Sequence, residues 1–303
     1  MNGVIVIDKP QDFTSFDVVA VMRRLCGEKK IGHTGTLDPM ATGVLPLLLG
    51  KATRAASLLD DTDKEYEAGF RFGYATDTQD STGKTVKESD ARVTKEDIEA
   101  VLPYFRGNIL QLPPMYSALQ KNGQRLYTLA RQGIEVERDE RPITIYQLLL
   151  NDFDESIQSG SLTIRCSKGT YIRTICADIG QKLETLGVMT SLRRTQAAGF
   201  RLSDAVTIDE ARELSAQGTL EQKVQPTETL FSSHEALHIT QAQAQRFQNG
   251  GGLNLNRTSI LPLNWKEGLI FRVYSPEDMF LGLGAVELEK AELSVLRLFC
   301  ETT

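Results

Sequence analysis

Residues 32–50, GHTGTLDPMATGVLPLLLG, tie a single carboxylate, Asp38, to an apolar run that belongs in a core. Pro39 pushes Asp38 toward extended backbone and Gly43 frees the turn that follows, so the segment reads as a rigid loop presenting one acid. Between Lys29 and Leu59 it is the only acidic residue, against Lys29, Lys30, Lys51 and Arg54. Glycosidase-type and aspartyl-phosphatase-type chemistry uses a second carboxylate nearby, and this segment offers none. Gly32 and Gly35 hint at a phosphate loop, but no GK[ST] follows and Lys51 lies too far downstream. Two local readings stay open. Asp38 bonds its own turn, as Asp before Pro commonly does, or it stays ionised beside the apolar run because a remote cation or donor supports it. Arg173, in CSKGTYIRT, is a candidate for that cation.

At 303 residues and 41% hydrophobic side chains, the chain can bury one large core and a smaller second one. VIVID (4–8) reads as a buried strand ended by Lys9 and Pro10, because proline cannot donate to a ladder. SFDVVAVMRRLCG (15–27) follows as a helix, with Phe16, Val19 and Met22, and Val18 and Leu25, at helical spacing and Gly27 as its stop. KEYEAGFRF (64–72) alternates Tyr66, Ala68, Phe70 and Phe72 on one strand face, and a Thr94/Asp97 capping box opens a helix over 94–105. SLTIRCS (161–167) alternates as a strand and leads into a helix over 170–187, striped by Ile172, Ile175, Ile179, Leu183 and Leu186 and closed by Gly187. A capping box of Thr207 and Glu210 begins a short helix that stops near Gly218. Beyond a connector, QAQAQRFQNGG is a short helix, and GLIFRVYS, MFLGLGAVEL and LSVLRLFC are three short strands spaced as in a small β-barrel. The pattern predicts an α+β fold with a domain boundary near residue 230.

The N-terminus lacks the basic and apolar regions of a secretory signal, and no run approaches the ~18 apolar residues that span a bilayer, so a cytoplasmic protein is expected. Cys26, Cys166, Cys176 and Cys300 lie far apart without a CxxC pair, which predicts reduced core thiols. Of His33, His234 and His238, the last two have helical i, i+4 spacing, but no acidic third ligand stands out and no metal site is expected. A net charge of −6 argues on average against nucleic acid, yet it conceals a mosaic. No acid falls between Ala100 and Ile134, where Arg106, Lys121, Arg125 and Arg131 occur, and Arg165, Lys168 and Arg173 stand unopposed from Ser161 to Ala177. Acids gather instead in DDTDKE (60–65), DTQD (77–80) and DFDE (152–155). Charge pattern alone allows either a basic face or ordinary solvated charge.

Six stretches resemble, in order, the bacterial tRNA pseudouridine synthase B (TruB) family: IDKPQDFTSFDVV (7–19), GHTGTLDPMATGVLPLLLGKAT (32–53), KEYEAGFRFGYATDTQDSTG (64–83), LPPMYSALQKNGQRLYTLARQGIEVERDERPI (112–143), CSKGTYIRTICADIG (166–180) and LRRTQAAGF (192–200). FQNGG and RVYSPEDMFLGLG look like that family's appended PUA module, so the resemblance runs over nearly the whole chain. It implies a pseudouridine synthase catalytic domain over 1–230, with a mixed, largely antiparallel sheet flanked by helices. It also implies an RNA-clamping insertion over about 108–142 and a small β-barrel PUA-like domain over 231–303.

The implied activity is isomerisation of uridine 55 in the tRNA T-arm to pseudouridine, without cofactor, metal or obligate protein partner, by a monomer. Asp38 matches the family's nucleophile, Arg173 the arginine that pairs with it, and Tyr66 the aromatic that stacks on the flipped base. Tyr171 and Leu192 match pocket-lining positions. His33 matches a histidine that fills the space left by flipped nucleotides, and Lys9 with Pro10 belongs to a motif supporting the nucleophile loop. Arg106, Lys121 and Arg125 fall in the basic span that meets RNA phosphates, where such contacts fix register while the pocket reads the base. Departures are few: Gln120 stands where many relatives have lysine, and Asp12 where glycine is common. The C-terminal module is poor in cations, with Arg246, Arg257, Lys266, Arg272, Lys290 and Arg297 set against several acids. The competing expectation is a non-catalytic tRNA-binding or tRNA-folding protein on the same scaffold.

Overall fold

The computed structural model describes residues 1–59, 63–117, 119–121 and 123–300, so Asp60 and Asp61 of the first acidic cluster lie outside the described residues. The first half runs β1 (Gly3–Lys9), α1 (Ser15–Cys26), β2 (Ile31–His33), β3 (Thr42–Leu49), β4 (Lys64–Phe72), β5 (Tyr74–Thr76), β6 (Thr85–Glu88), α2 (Lys95–Val101), β7 (Gly107–Gln111), β8 (Gln120–Lys121), β9 (Gln124–Arg125) and α3 (Leu126–Arg131). The second runs β10 (Arg141–Asp154), β11 (Ser159–Cys166), α4 (Ile172–Lys182), β12 (Gly187–Ala197), β13 (Phe200–Arg201), α5 (Ile208–Ala216), β14 (Glu235–His238), α6 (Gln241–Gln248), β15 (Leu253–Asn254), β16 (Ile270–Tyr274), β17 (Phe280–Glu287) and β18 (Glu292–Leu298).

The described residues form a nine-stranded sheet ordered β1-β3-β12-β4-β11-β10-β7, with β2 beside β3 and β13 beside β12. Its pairings are antiparallel except β3 with β12, so the sheet is mixed and largely antiparallel. The apolar run is β3, buried along its length from Gly43 to Leu49 because both faces are covered. Leu45, Leu47 and Leu49 join Ile5 and Ile7 of β1 in the main core, which also takes Val18, Val19 and Met22 of α1. Val44 and Leu48, with Val4 and Val6, point the other way and pack with Phe231, Leu283 and Phe299. A strand buried on both faces loses the alternation that a half-buried strand shows, which is why the run is continuous. β4 keeps its alternation: Tyr66, Ala68, Phe70 and Phe72 are buried while Glu67 and Arg71 face water.

The capping boxes at Thr94/Asp97 and Thr207/Glu210 both form, and a third closes between Thr14 and Asp17 at the head of α1. Two expectations are corrected. Phe16 is 64% exposed, since the buried stripe of α1 runs through Ser15, Val18, Val19, Met22 and Cys26. The helix expected to reach Gly187 ends at Lys182, and Glu184 and Leu186 take positive φ of 58° and 71° to turn the chain into β12. Gly187 is there for close packing: a Cβ on it would lie 2.8 Å from the Cys176 carbonyl oxygen, inside van der Waals contact. The C-terminal strands form an open five-stranded sheet, β14-β16-β17-β18-β15, whose end strands do not pair among the described residues. Its last strand, β15, is two residues long, and the curled sheet is compatible with a half-barrel.

Candidate active site

Asp38 sits in the turn between β2 and β3, where the Ala41 N–H donates to the Asp38 carbonyl at 3.0 Å and Pro39 fills the second turn position. Two side chains hold the loop from the N-terminal segment. Lys9, fully buried, donates from Nζ to the carbonyls of Pro10 (2.9 Å), Phe13 (2.5 Å) and Pro39 (3.2 Å). Ser15 Oγ accepts from the Leu37 N–H at 2.8 Å and donates back to its carbonyl at 3.3 Å. Burial pushes the Lys9 ammonium down to about 8, with the carboxylates of Asp12 and Asp38 opposing the shift. Asp12 adopts φ 65°, the left-handed region where a glycine would be unstrained, and its N–H also donates to Pro39 O at 2.9 Å. The side chain of Lys9 therefore faces three carbonyls rather than an open groove.

Arg173 reaches the same loop from the first turn of α4. Its Nη2 lies 3.3 Å from Asp38 Oδ2 and donates to the Tyr116 carbonyl at 2.8 Å, and its Nη1 lies 3.5 Å from Asp80 Oδ2. Asp38 is 43% exposed in this pair, whereas the Asp80 side chain is 6% exposed. Asp80 is held in turn: its Oδ1 accepts from Thr78 Oγ1 (2.8 Å), the Thr82 N–H (3.0 Å) and Thr82 Oγ1 (2.6 Å). One guanidinium thus bridges a half-open carboxylate and a sealed one, an arrangement that orients Asp38 while leaving its side chain partly open to solvent. Sequence reasoning found Asp38 and Arg173 and left Asp80 among the acids of DTQD. Two threonines flanking that acid were the signal for a buried, hydrogen-bonded carboxylate.

Around the pair, Tyr66 of β4 is buried and lies in register with Arg194 of β12, and its hydroxyl shares a hydrogen bond with the Arg194 guanidinium. Burial raises the Tyr66 phenol above its ordinary value. His33, on β2, is shifted below the usual imidazole range by burial and then by the Arg194 charge, and its Nδ1 is buried without a hydrogen-bond partner among the described residues. Tyr171 precedes α4, exchanges two backbone hydrogen bonds with the Gln111 side chain and lies with its ring centroid 6.0 Å from the Arg173 guanidinium. Leu192 is buried on β12. Arg194, absent from the sequence-based candidates, is buried beneath the loop; its segment was read only as family motif because β12 was not foreseen.

The basic span divides. Arg106 donates from Nε and Nη2 to the Leu148 carbonyl at 3.1 and 2.8 Å, and Lys121 donates to the Glu137 carbonyl. Arg125 and Arg131 are exposed, both over the Tyr127 ring at 5.9 and 5.7 Å. His234 and His238 do not share a helix, since His238 ends β14 and pairs with Asp278 at 3.0 Å. Among the described residues no three His, Cys, Asp or Glu side chains gather as metal ligands, and no helix is long and apolar enough to cross a membrane.

Comparison with known proteins bears on this geometry. Residues 23–172 match the N-terminal domain of TruB family pseudouridylate synthases, and residues 173–232 match the tRNA pseudouridylate synthase B C-terminal domain. The chain is similar to tRNA pseudouridine synthase B of Clostridium tetani, 41% identical over 94% of this chain and 95% of that one. It is also similar to the Pasteurella multocida protein of that name, 39% identical over 95% and 92%. Among solved structures, a chain in the crystal structure of a Cbf5-Nop10-Gar1 complex superposes with a TM-score of 0.76 at 25% identity, covering 99% of this chain and 85% of that one.

Proposed function

The chain belongs to the TruB family of pseudouridylate synthases, and from that membership we propose that it isomerises uridine 55 in the T-arm of tRNA with Asp38 as the sole nucleophile. The observation that carries this reading is the 3.3 Å contact between Arg173 and Asp38, which joins segments far apart in sequence at a half-exposed carboxylate. The family reaction detaches uracil from C1′ and reattaches it through carbon 5, so it changes no oxidation state and needs one positioned carboxylate. A base inside a folded loop must first be flipped out, at a few kcal/mol of lost stacking. Stacking on Tyr66 returns roughly 1 to 3 kcal/mol of that cost. Tyr171 and Leu192 complete the pocket, and His33, kept neutral by burial, is suited to fill the vacated space without an added charge.

The RNA contact is read on the insertion over about 108–142, where Arg125 and Arg131 are exposed and Lys121 braces the backbone, with Arg106 just before it bonded to the Leu148 carbonyl. We read residues 1–230 as the catalytic unit and 231–303 as a PUA-like RNA-binding unit, acting as a cytoplasmic monomer. The test is to incubate the protein with an unmodified T-arm stem-loop and assay pseudouridine, comparing wild type with Asp38→Asn. The expected outcome is product from the wild type and none from the variant, with RNA binding retained by both. Turnover by Asp38→Asn would remove Asp38 as nucleophile. Binding without turnover by the wild type would favour a tRNA-folding role on the same scaffold.

A further inference from the structure

The largest fully buried side chain among the described residues is Arg194, 1% exposed. Removing a guanidinium from water costs several kcal/mol unless it is paired, and no carboxylate pairs with Arg194 among the described residues. Its partners are all neutral acceptors: Nε donates to the Val44 carbonyl at 2.7 Å, Nη2 donates to the Gly35 carbonyl at 3.1 Å, and the Tyr66 hydroxyl shares a hydrogen bond with it. Gly35 and Val44 stand on either side of Asp38 in the chain, and Tyr66 lies on the neighbouring strand. β12 makes this possible because it runs between β3 and β4, so Arg194 aligns with Gly43 on one side and Tyr66 on the other.

An apolar side chain of similar volume would fill this space at lower cost. What it could not do is bind both arms of the loop and the Tyr66 phenol through one rigid plane, for which the guanidinium fork is suited and a single ammonium is not. We propose that Arg194 is a positioning residue for the isomerisation, fixing the Asp38 loop against β4 so that the Asp38 carboxylate and the Tyr66 ring face the same base. This role rests on the reading of Asp38 and Tyr66 given above.

The test measures single-turnover isomerisation of an unmodified T-arm stem-loop, the Kd for that RNA and the melting temperature, for Arg194→Lys, Tyr66→Phe and the double variant. Arg194→Lys is expected to stay folded and to bind RNA within about threefold of wild type, with its rate lowered at least about 100-fold, as misplaced reacting groups require. The double variant should be no more than about threefold slower than the slower single one, because both substitutions break one contact. A wild-type rate for Arg194→Lys, a rate loss matched by an equal loss of RNA affinity, or fully multiplicative effects would each overturn the role. If Arg194→Lys does not fold, Tyr66→Phe decides. It is expected to be slower by at least about tenfold at unchanged Kd, and a wild-type rate would overturn the proposal. No product from the wild type would overturn the underlying reaction instead, and this role with it.

Discussion

Asp80→Asn isolates the buried half of the Asp38–Arg173–Asp80 bridge. The substitution keeps the shape, and an amide oxygen turned toward Thr78 and Thr82 keeps the three hydrogen bonds that Oδ1 accepts. That orientation turns the amide nitrogen toward Arg173 Nη1, so a donor faces a donor where a charged contact of 3.5 Å stood. Stripping a buried charge of its partner costs about 3–5 kcal/mol. Arg173 retains Asp38 and the Tyr116 carbonyl, so we expect roughly half, about 2 kcal/mol, or a fall of about 4–8 °C in Tm at 2–4 °C per kcal/mol. Catalytically, Arg173 loses its second fixed anion and is left to the half-exposed Asp38, so its angle to the nucleophile relaxes. We expect a single-turnover rate lower on the order of 100-fold with RNA affinity unchanged. Thr82→Val, which removes the 2.6 Å donor to Asp80 while sparing the charge, should produce a smaller effect of the same kind. An Asp80→Asn protein that melts and turns over like the wild type would refute the bridge as an aiming device. A rate loss explained by lost RNA binding would refute it equally.

Gly43→Ala should be severely destabilising, by about 3 kcal/mol or more, because φ is +102° and the new Cβ would lie 2.2 Å from the Arg194 carbonyl; a thermal melt checks this. Burial raises the Asp178 carboxyl to about 6 from 3.8, so its contribution to stability is intact below about 3.8, declines as pH rises and is lost above about 6. Asp178→Asn is therefore expected to stabilise at pH 7.5, by up to about 3 kcal/mol, and to be neutral near pH 4, as urea unfolding at the two pH values will show. Affinity for the T-arm should fall steeply with salt, and removing the charges of Arg125 and Arg131 should flatten that slope by about one unit each in log–log form. A salt-independent Kd would count against phosphate contacts by the insertion.

Several parts of this architecture are legible in neighbouring residues. The alternation from Tyr66 to Phe72 announces β4, and Thr94 with Asp97 and Thr207 with Glu210 announce two helix starts, because pleat and cap depend on side chains two or three positions apart. The 170–187 segment shows the limit. Leu183 and Leu186 continue a helical spacing, yet Leu186 turns at positive φ and Gly187 packs against Cys176, a requirement set by a neighbour eleven positions away. β12 disappears from a local reading for that reason, and with it Arg194. Phe16 fits the stripe of α1 by spacing and still faces water, since the neighbours that cover a helix decide which edge of its stripe is buried.

The sequence by itself determined that one carboxylate would stand in a rigid loop beside a strand too apolar to leave the core, and, through motif resemblance, which arginine and tyrosine would matter. Only the tertiary structure decided that Asp80 shares the guanidinium of Arg173, which carbonyls Lys9 holds, that Ser15 joins it in clamping the loop, and that Arg194 lies beneath it. The reason is physical. Periodicity, capping and turn chemistry act between residues close along the chain, whereas an ion pair or a buried guanidinium depends on which strands lie side by side. Here that is settled by β12 entering between β3 and β4, with Arg194 lying 150 residues downstream of Val44.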